Sequence, residues 1–266
     1  MKYQIIAPPS SLSPYVRFFW ILESEKPYIH RNMADGCAEL VFHYQGTFDE
    51  LMQEGTERSA LSLVHGPASR FRRYQSHTGF GIFGIYLYPF TLPMLLSLPT
   101  VELTNQVPGL ESVIPGIGTT LEEQMILAQT NEERLKIITC FLEKRLTRYH
   151  QHDIGIFYAI RSIVEANGRI DVHELANECS LSRRQFERKF KQYAGFSPKA
   201  YSQVIRFQAA VNEYDNRYKS LAQIALDCGY YDQSHFTHEF KKFSGYNPKA
   251  YFYGDPEGVE WREAID

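Results

Sequence analysis

LSRRQFERKFKQYAGFSPKAY occupies residues 181–201, and a second copy, YDQSHFTHEFKKFSGYNPKAY, occupies residues 231–251. The aligned copies pair Phe190 with Phe240 and both end in Pro-Lys-Ala-Tyr. A period of about fifty residues is typical of a duplicated supersecondary unit. The C-terminal part is therefore predicted to contain two similar folding units in tandem.

Each copy carries the helix signals of a helix-turn-helix motif in the right order. Ser182 with Gln185 has the spacing of a capping box at the start of a long helix, and Asp171 with Glu174 has the same spacing before a short one. The predicted cap residues are, in chain order, Asp171, Ser182, Ser220 and Asp232, and the predicted left-handed helix ends are Gly195 and Gly245. Each unit is thus a short helix, a turn and a longer helix.

The longer helices are predicted to have an aromatic side and a polar side. The outward residues are Arg183, Arg184, Glu187, Arg188 and Lys191 in the first helix, and Gln233, Ser234, Thr237, His238, Lys241 and Lys242 in the second. Such side chains read base edges and bind phosphates when a helix enters the major groove of DNA. A merely solvated face is the alternative, but the duplication and the helix-turn-helix signals favour DNA binding.

Residues from about Ile154 to Phe252 resemble the AraC/XylS family of transcriptional regulators. The segments that carry the resemblance are 175–176, 182–190, 195–198, 224–225, 228–230, 234–236 and 240–248. The resemblance implies two helix-turn-helix units joined by a long helix at about 198–215, with both recognition helices in successive major-groove segments. The base contacts that it implies are Arg184, Arg188, Gln233, Ser234 and His238. Phe252 stands where the family often has arginine, which removes one phosphate contact.

The net charge of −3 hides a local asymmetry. Residues 155–253 contain 14 Lys and Arg against 10 Asp and Glu, whereas residues 254–266 contain one Arg against five acids. A small positive excess suits a protein that recognises particular sites better than one that binds nucleic acid by bulk charge.

The four cysteines, Cys37, Cys140, Cys179 and Cys228, are far apart and form no Cys-x-x-Cys pair, which is typical of a reduced protein. No secretory signal and no apolar run of about 20 residues is present, so a cytoplasmic protein without a membrane span is expected.

The predicted fold class is α+β with more than one domain: a small N-terminal β-sandwich or barrel-like domain with helices, and an all-α C-terminal domain. Strands are predicted at 16–22, 38–44, 61–65, 71–75 and 80–88, a loop or exposed hairpin at 49–59, and helices at 92–98, 102–106, 121–129, 131–150 and 156–166. The predicted domains are a β-rich sensor at 1–130, a helical connector with a possible dimerisation role at 131–153, the tandem helix-turn-helix unit at 154–253, and an acidic tail at 254–266.

The N-terminal part resembles the β-rich sensor domains attached to many AraC-type regulators. The candidate effector-binding residues are Trp20, Phe42, Tyr44, Arg70, Arg72, Tyr86 and Tyr88. The aromatic side chains are candidates to line a cavity, and the arginines to bind an anionic effector. Ordinary core packing and solvation are the alternatives.

Four histidines, His30, His43, His65 and His77, raise the question of a metal site. No His-x-His run with a following glutamate, phosphate-binding loop or nucleophile elbow is present, so no metal, no cofactor and no enzymatic activity are predicted. The alternative is a cupin-like metal enzyme fused to a DNA-binding module. The predicted partners are double-stranded DNA, a small-molecule effector, a second copy of the chain and, for an activator, RNA polymerase.

Overall fold

The computed structural model describes residues 1–147, 153–215 and 218–258. Within them, the N-terminal half contains two antiparallel sheets. The strands are β1 (Lys2–Ile6), β2 (Val16–Ser24), β3 (Tyr28–Asn32), β4 (Ala38–Gln45), β5 (Asp49–Leu51), β6 (Thr56–Arg58), β7 (Ser62–His65), β8 (Arg72–Ser76) and β9 (Phe80–Leu87). Their order is β1-β2-β9-β4-β7 in one sheet and β3-β8-β5-β6 in the other.

The five predicted strands are confirmed as β2, β4, β7, β8 and β9, and the exposed hairpin as β5 and β6. Two strands, β1 and β3, were not predicted. Strand β1 is a largely exposed edge, and only Tyr28 is fully buried in β3. Neither segment therefore has the apolar alternation by which a strand is recognised in sequence.

The helices of the described residues follow the strands. They are α1 (Thr91–Leu96), α2 (Leu110–Val113), α3 (Ile117–Leu127), α4 (Asn131–Leu146), α5 (Ile154–Glu165), α6 (Val172–Glu178), α7 (Arg183–Ala194), α8 (Pro198–Val211), α9 (Leu221–Asp227), α10 (Gln233–Ser244) and α11 (Pro248–Tyr253). Two 3-10 turns, Thr100–Leu103 and Asn212–Asp215, replace the predicted helix at 102–106 and the end of the predicted joining helix. The predicted end of the connector helix, 148–150, lies outside the described residues.

The caps explain where the C-terminal helices begin and end. Ser182 and Gln185 form the predicted capping box of α7, and Asp232 caps α10 by accepting from the His235 N–H. Gly195 and Gly245 end these helices at φ values of 81° and 74°, where glycine avoids the strain of a Cβ atom. Asp171 caps α6 through the His173 N–H, so the predicted reciprocal box with Glu174 is not what caps this helix.

The two helix-turn-helix units are buried in different ways. One hydrophobic core runs from the five-stranded sheet through α1, α4 and α5 into α7. Phe90 stacks on Phe157 at 4.7 Å between ring centroids, and Phe157 meets Tyr193 of α7 at 5.1 Å. The second unit has a separate aromatic core, which includes Phe236 and Phe240. The core of the first unit is therefore continuous with that of the β domain, whereas the second unit has a core of its own.

None of the helices in the described residues is both long enough and apolar enough to span a membrane.

Candidate nucleic-acid interface and effector cavity

Helix α7 presents a basic face to solvent. Arg184, Arg188 and Lys191 are exposed, and their side chains make no hydrogen bond or ion pair with any described residue. Arg183 donates through Nε to Glu187 at 3.1 Å, but the two side chains remain 71% and 49% exposed. A surface pair of this kind contributes about 0–1 kcal/mol, so it can yield to a phosphate.

Helix α10 presents a polar face that is less charged. Gln233, Ser234, His238, Lys241 and Lys242 are exposed, whereas Thr237 is half-buried. The Thr237 hydroxyl donates to the Gln233 carbonyl oxygen at 2.8 Å, so its proton is committed within the helix. On the opposite side, Phe236, Phe240 and Phe243 are buried.

Two charged residues on these helices point inward and anchor them. Lys189 of α7 donates to Asp153 at the start of α5, and Tyr193 donates to the same carboxylate at 2.9 Å. Glu239 of α10 is 5% exposed and accepts from Gln203 of α8 at 2.8 Å. Each recognition helix is thus fixed to a supporting helix by a polar contact as well as by aromatic packing.

A cavity of about 350 Å³ lies between the five-stranded sheet, β3 and α8. Its floor is a single cross-strand row in which Phe18 of β2, Tyr86 of β9, Glu39 of β4 and His65 of β7 stand side by side. The Trp20 indole lies directly over Gly84, and a Cβ atom at position 84 would come within 2.0 Å of the ring. Helix α8 closes the other side with Ile205, Phe207 and Gln208.

Of the predicted effector residues, Trp20 and Tyr86 line this cavity. Phe42 does not, because the alternation of β4 directs it into the core on the opposite face of the sheet. Tyr44 and Tyr88 also lie outside the cavity lining. The Tyr44 hydroxyl donates a hydrogen bond to Glu23 beneath the Arg134 guanidinium, and Tyr88 stacks on Phe90.

The predicted arginines do not line this cavity either. Arg70 and Arg72 border a separate space of about 20 Å³. Arg72 donates to both oxygens of Glu50, at 2.8 and 2.7 Å, and to the Asn105 carbonyl oxygen. The charge of Arg72 is therefore already neutralised by Glu50, whereas Arg70 is exposed at the edge of this space.

Sequence reasoning missed the polar groups of the cavity wall as ligand-binding candidates. Burial lowers the pKa of His30 and of His43 to about 4 and, with help from nearby charges, that of His65 to about 3, so all three rings are neutral. Burial, reinforced by Asp35, raises the pKa of Glu39 to about 8. The alternation of β4 is the signal that could have revealed Glu39 and His43, since both point away from Leu40 and Phe42.

Glu39→Gln is expected to stabilise the protein in a pH-dependent way. The pKa of Glu39 is above its ordinary value of 4.5, so the folded state holds its proton while the unfolded chain ionises, and stability falls as pH rises from about 4.5 to about 8. The variant lacks this penalty. Thermal denaturation should therefore show a difference in Tm that is near zero around pH 4.5 and grows towards pH 8. A difference independent of pH, or an equal one for the exposed Glu54→Gln, would contradict the assignment.

The cavity wall is hydrogen-bonded to α8, the helix that joins the two units. The Tyr86 hydroxyl donates to Asp35 and accepts from the Gln208 amide of α8 at 3.1 Å. Gly36, next to Asp35, packs so closely on α8 that a Cβ atom would lie 2.7 Å from Ile205. A change in the cavity can therefore reach α8 through direct contacts.

The second helix-turn-helix unit packs against strands β3 and β8 of the smaller sheet. Arg73 of β8 binds Glu257 with two hydrogen bonds of 2.9 Å. Arg31 of β3 lies 3.9 Å over the ring of Tyr246, just beyond α10. The Ala34 N–H donates to the Phe243 carbonyl oxygen at 3.0 Å. These three contacts hold the C-terminal end of α10 against the β domain. They lie beside the cavity, because Arg31 lines the cavity and also contacts Tyr246.

Comparison with known proteins gives two domain matches. Residues 175–253 match a family described as a helix-turn-helix domain. Residues 4–108 match a domain of unknown function, DUF6597.

Among full proteins, the chain is similar to LumQ of Photobacterium leiognathi, described as a probable transcriptional regulator, with 24% identity over 68% of this chain and 77% of LumQ. It is 36% identical to the HTH-type transcriptional regulator ArgR of Pseudomonas aeruginosa over 28% of this chain, which spans 23% of ArgR. Among solved structures, ToxT from Vibrio cholerae O395 aligns with a TM-score of 0.47 and 14% identity, over 95% of this chain and 97% of ToxT.

The duplicated helix-turn-helix units, with the family match over them, define a DNA-binding transcriptional regulator. The family match and the similar regulators support the predicted resemblance of residues 154–252 to AraC-type regulators, and the predicted two-domain fold class is confirmed. Within the described part of the chain, no three His, Cys, Asp or Glu side chains converge as a metal ion would require.

Proposed function

We propose that α7 and α10 each read one segment of the major groove, and that a small molecule in the cavity controls how they do so. Base contacts are assigned to Arg184 and Arg188 on α7 and to Gln233, Ser234 and His238 on α10. The exposed lysines and Arg183 contact phosphates. The observation that carries the proposal is that both helices expose a polar face while an aromatic underside is fully buried.

Control by a small molecule is supported by the shared wall of the cavity. A ligand that fills it touches the β domain on one side and α8 on the other. Because α8 joins the two helix-turn-helix units, a ligand that prefers one position of α8 shifts the population of DNA-binding arrangements. The size of the cavity falls at the lower end of the range of small-molecule sites.

The protein works in the cytoplasm, where it reaches DNA, and a second copy of the chain binds beside it through the β domain or α4. RNA polymerase is a partner if the protein activates transcription.

In vitro selection from random duplexes, followed by fluorescence anisotropy, tests the proposal. The selected site should bind at least about 10³-fold more tightly than unrelated DNA at physiological salt, which is the ratio usual for specific readers. The logarithm of affinity should fall linearly with the logarithm of salt concentration. Equal affinity for all duplexes would reject site-specific reading.

A further inference from the structure

The charges around the cavity leave one group without a partner. Arg31 is 3.6 Å from Glu257, and Arg17 donates to the Cys37 sulfur within the field of Asp35. Asp35 in turn accepts from Tyr86 and from the Cys37 N–H. The Glu39 side chain faces the cavity and makes no hydrogen bond or ion pair with any described residue. The cavity therefore contains an uncompensated acidic group.

The side chains beside Glu39 on the two neighbouring strands are aromatic or neutral. Tyr86 and His65 stand directly opposite it on the neighbouring strands, where side chains are about 5 Å apart at Cβ. Phe18 stacks on Tyr86 at 4.6 Å, and Trp20 covers the next cross-strand row. The electron-rich faces of such rings attract cations.

A second acceptor stands on the same strand face. His43 Nδ1 lies 3.3 Å from the Ala60 carbonyl oxygen, which can only accept, so this nitrogen carries the proton. The other ring nitrogen of the neutral His43 is therefore an acceptor. Residues four apart on a strand share a face and lie about 13 Å apart. Glu39 and His43 therefore offer two separate acceptors along one wall of the cavity.

We propose that the cavity binds an organic cation, a protonated amine carried by an apolar or aromatic skeleton, with Glu39 as its counter-ion. This proposal rests on the proposed effector role of the cavity and specifies its ligand class. The ammonium group donates to the Glu39 carboxylate and lies among the aromatic rings, while the skeleton occupies the apolar side formed by Trp20, Leu63 and Ile82. Binding drives a proton off Glu39, because the carboxylate is favoured once a cation stands beside it.

Three matched compounds test the proposal on the full chain: 2-phenylethylamine as the cation, 2-phenylethanol as the neutral analogue and 3-phenylpropionate as the anion. Isothermal titration at neutral pH should show the amine binding about ten- to a hundredfold more tightly than the alcohol, as expected for a hydrogen bond between charged groups. The anion should bind more weakly still. Proton release should make the amine's binding enthalpy depend on the ionisation enthalpy of the buffer.

Glu39→Gln should bring the amine and the alcohol to similar affinity and abolish the buffer dependence, whereas Glu54→Gln, an exposed site, should change neither. Absence of amine binding, equal or tighter binding of the alcohol or the anion, or discrimination that survives in Glu39→Gln would overturn the cation proposal.

DNA affinity measured with each compound separates the two proposals. If the alcohol or the anion binds as tightly as the amine, or more tightly, and changes DNA affinity, the effector role stands and the cation class falls. If the amine binds as expected but leaves DNA affinity unchanged, the cation site stands and the effector role falls.

Discussion

Replacing Phe240 with alanine is expected to unfold α9 to α11 while the β domain and the first helix-turn-helix unit stay folded. The Phe240 ring contacts those of Phe207, Phe236, Tyr251 and Phe252 at centroid distances of 5.3, 5.4, 5.1 and 5.5 Å. Removing a buried phenylalanine costs about 3–5 kcal/mol. The second unit must absorb this loss within its own small core, so its local folding equilibrium should shift by about 10²–10³-fold or more.

Hydrogen exchange provides the measurement. Amides of α9 to α11 should lose protection in Phe240→Ala, those of β4 and β9 should keep it, and DNA affinity should fall with the folded fraction. Tyr158→Ala, which removes an aromatic ring that is 54% exposed, is the control and should change little. Phe190→Ala removes an equivalent ring from the core shared with the β domain, so its destabilisation should extend into that domain. Uniform loss of protection in Phe240→Ala would contradict the separate core of the second unit.

The double substitution Arg188→Ala and His238→Ala is expected to reduce affinity for the selected DNA site by about 2–6 kcal/mol. Each good base contact contributes about 1–3 kcal/mol of discrimination. The two residues stand on different helices with separate cores, so their effects should be additive. Both side chains are exposed, so the fold and the Tm should not change.

Matched controls distinguish loss of contact from loss of charge. Arg58 is an exposed arginine on β6, and His77 an exposed histidine after β8. Arg58→Ala together with His77→Ala should leave DNA affinity within experimental error. If the control pair weakens binding as much as the test pair, general electrostatics rather than base reading is responsible.

The helical half could be predicted almost completely because local rules determine it. Cap residues such as Ser182 and Asp232 fix the helix starts within the chain itself, and glycines such as Gly195 fix the ends. The periodic phenylalanines then orient each helix against its neighbours. The inward Lys189 and Glu239 needed the structure, because their partners lie 36 residues away in the chain.

The cavity could not be predicted in the same way, because it is assembled from distant parts of the chain. Glu39 and Tyr86 become neighbours only through the register of β4 and β9. Strand β3, which the sequence pattern did not reveal, carries Arg31, which lines the cavity and also contacts the Tyr246 ring. The predicted aromatic residues were divided between the cavity and the core because alternation along β4 and β9 sends neighbours to opposite faces.

Footprinting on the selected site with single variants tests most directly whether the two duplicated helices read adjacent stretches of one DNA face. The wild-type protein should protect two major-groove segments about 10–10.5 base pairs apart. Arg188→Ala should weaken protection of one segment and His238→Ala that of the other. Protection of a single segment, or loss of the same segment in both variants, would contradict the reading of DNA by α7 and α10 together.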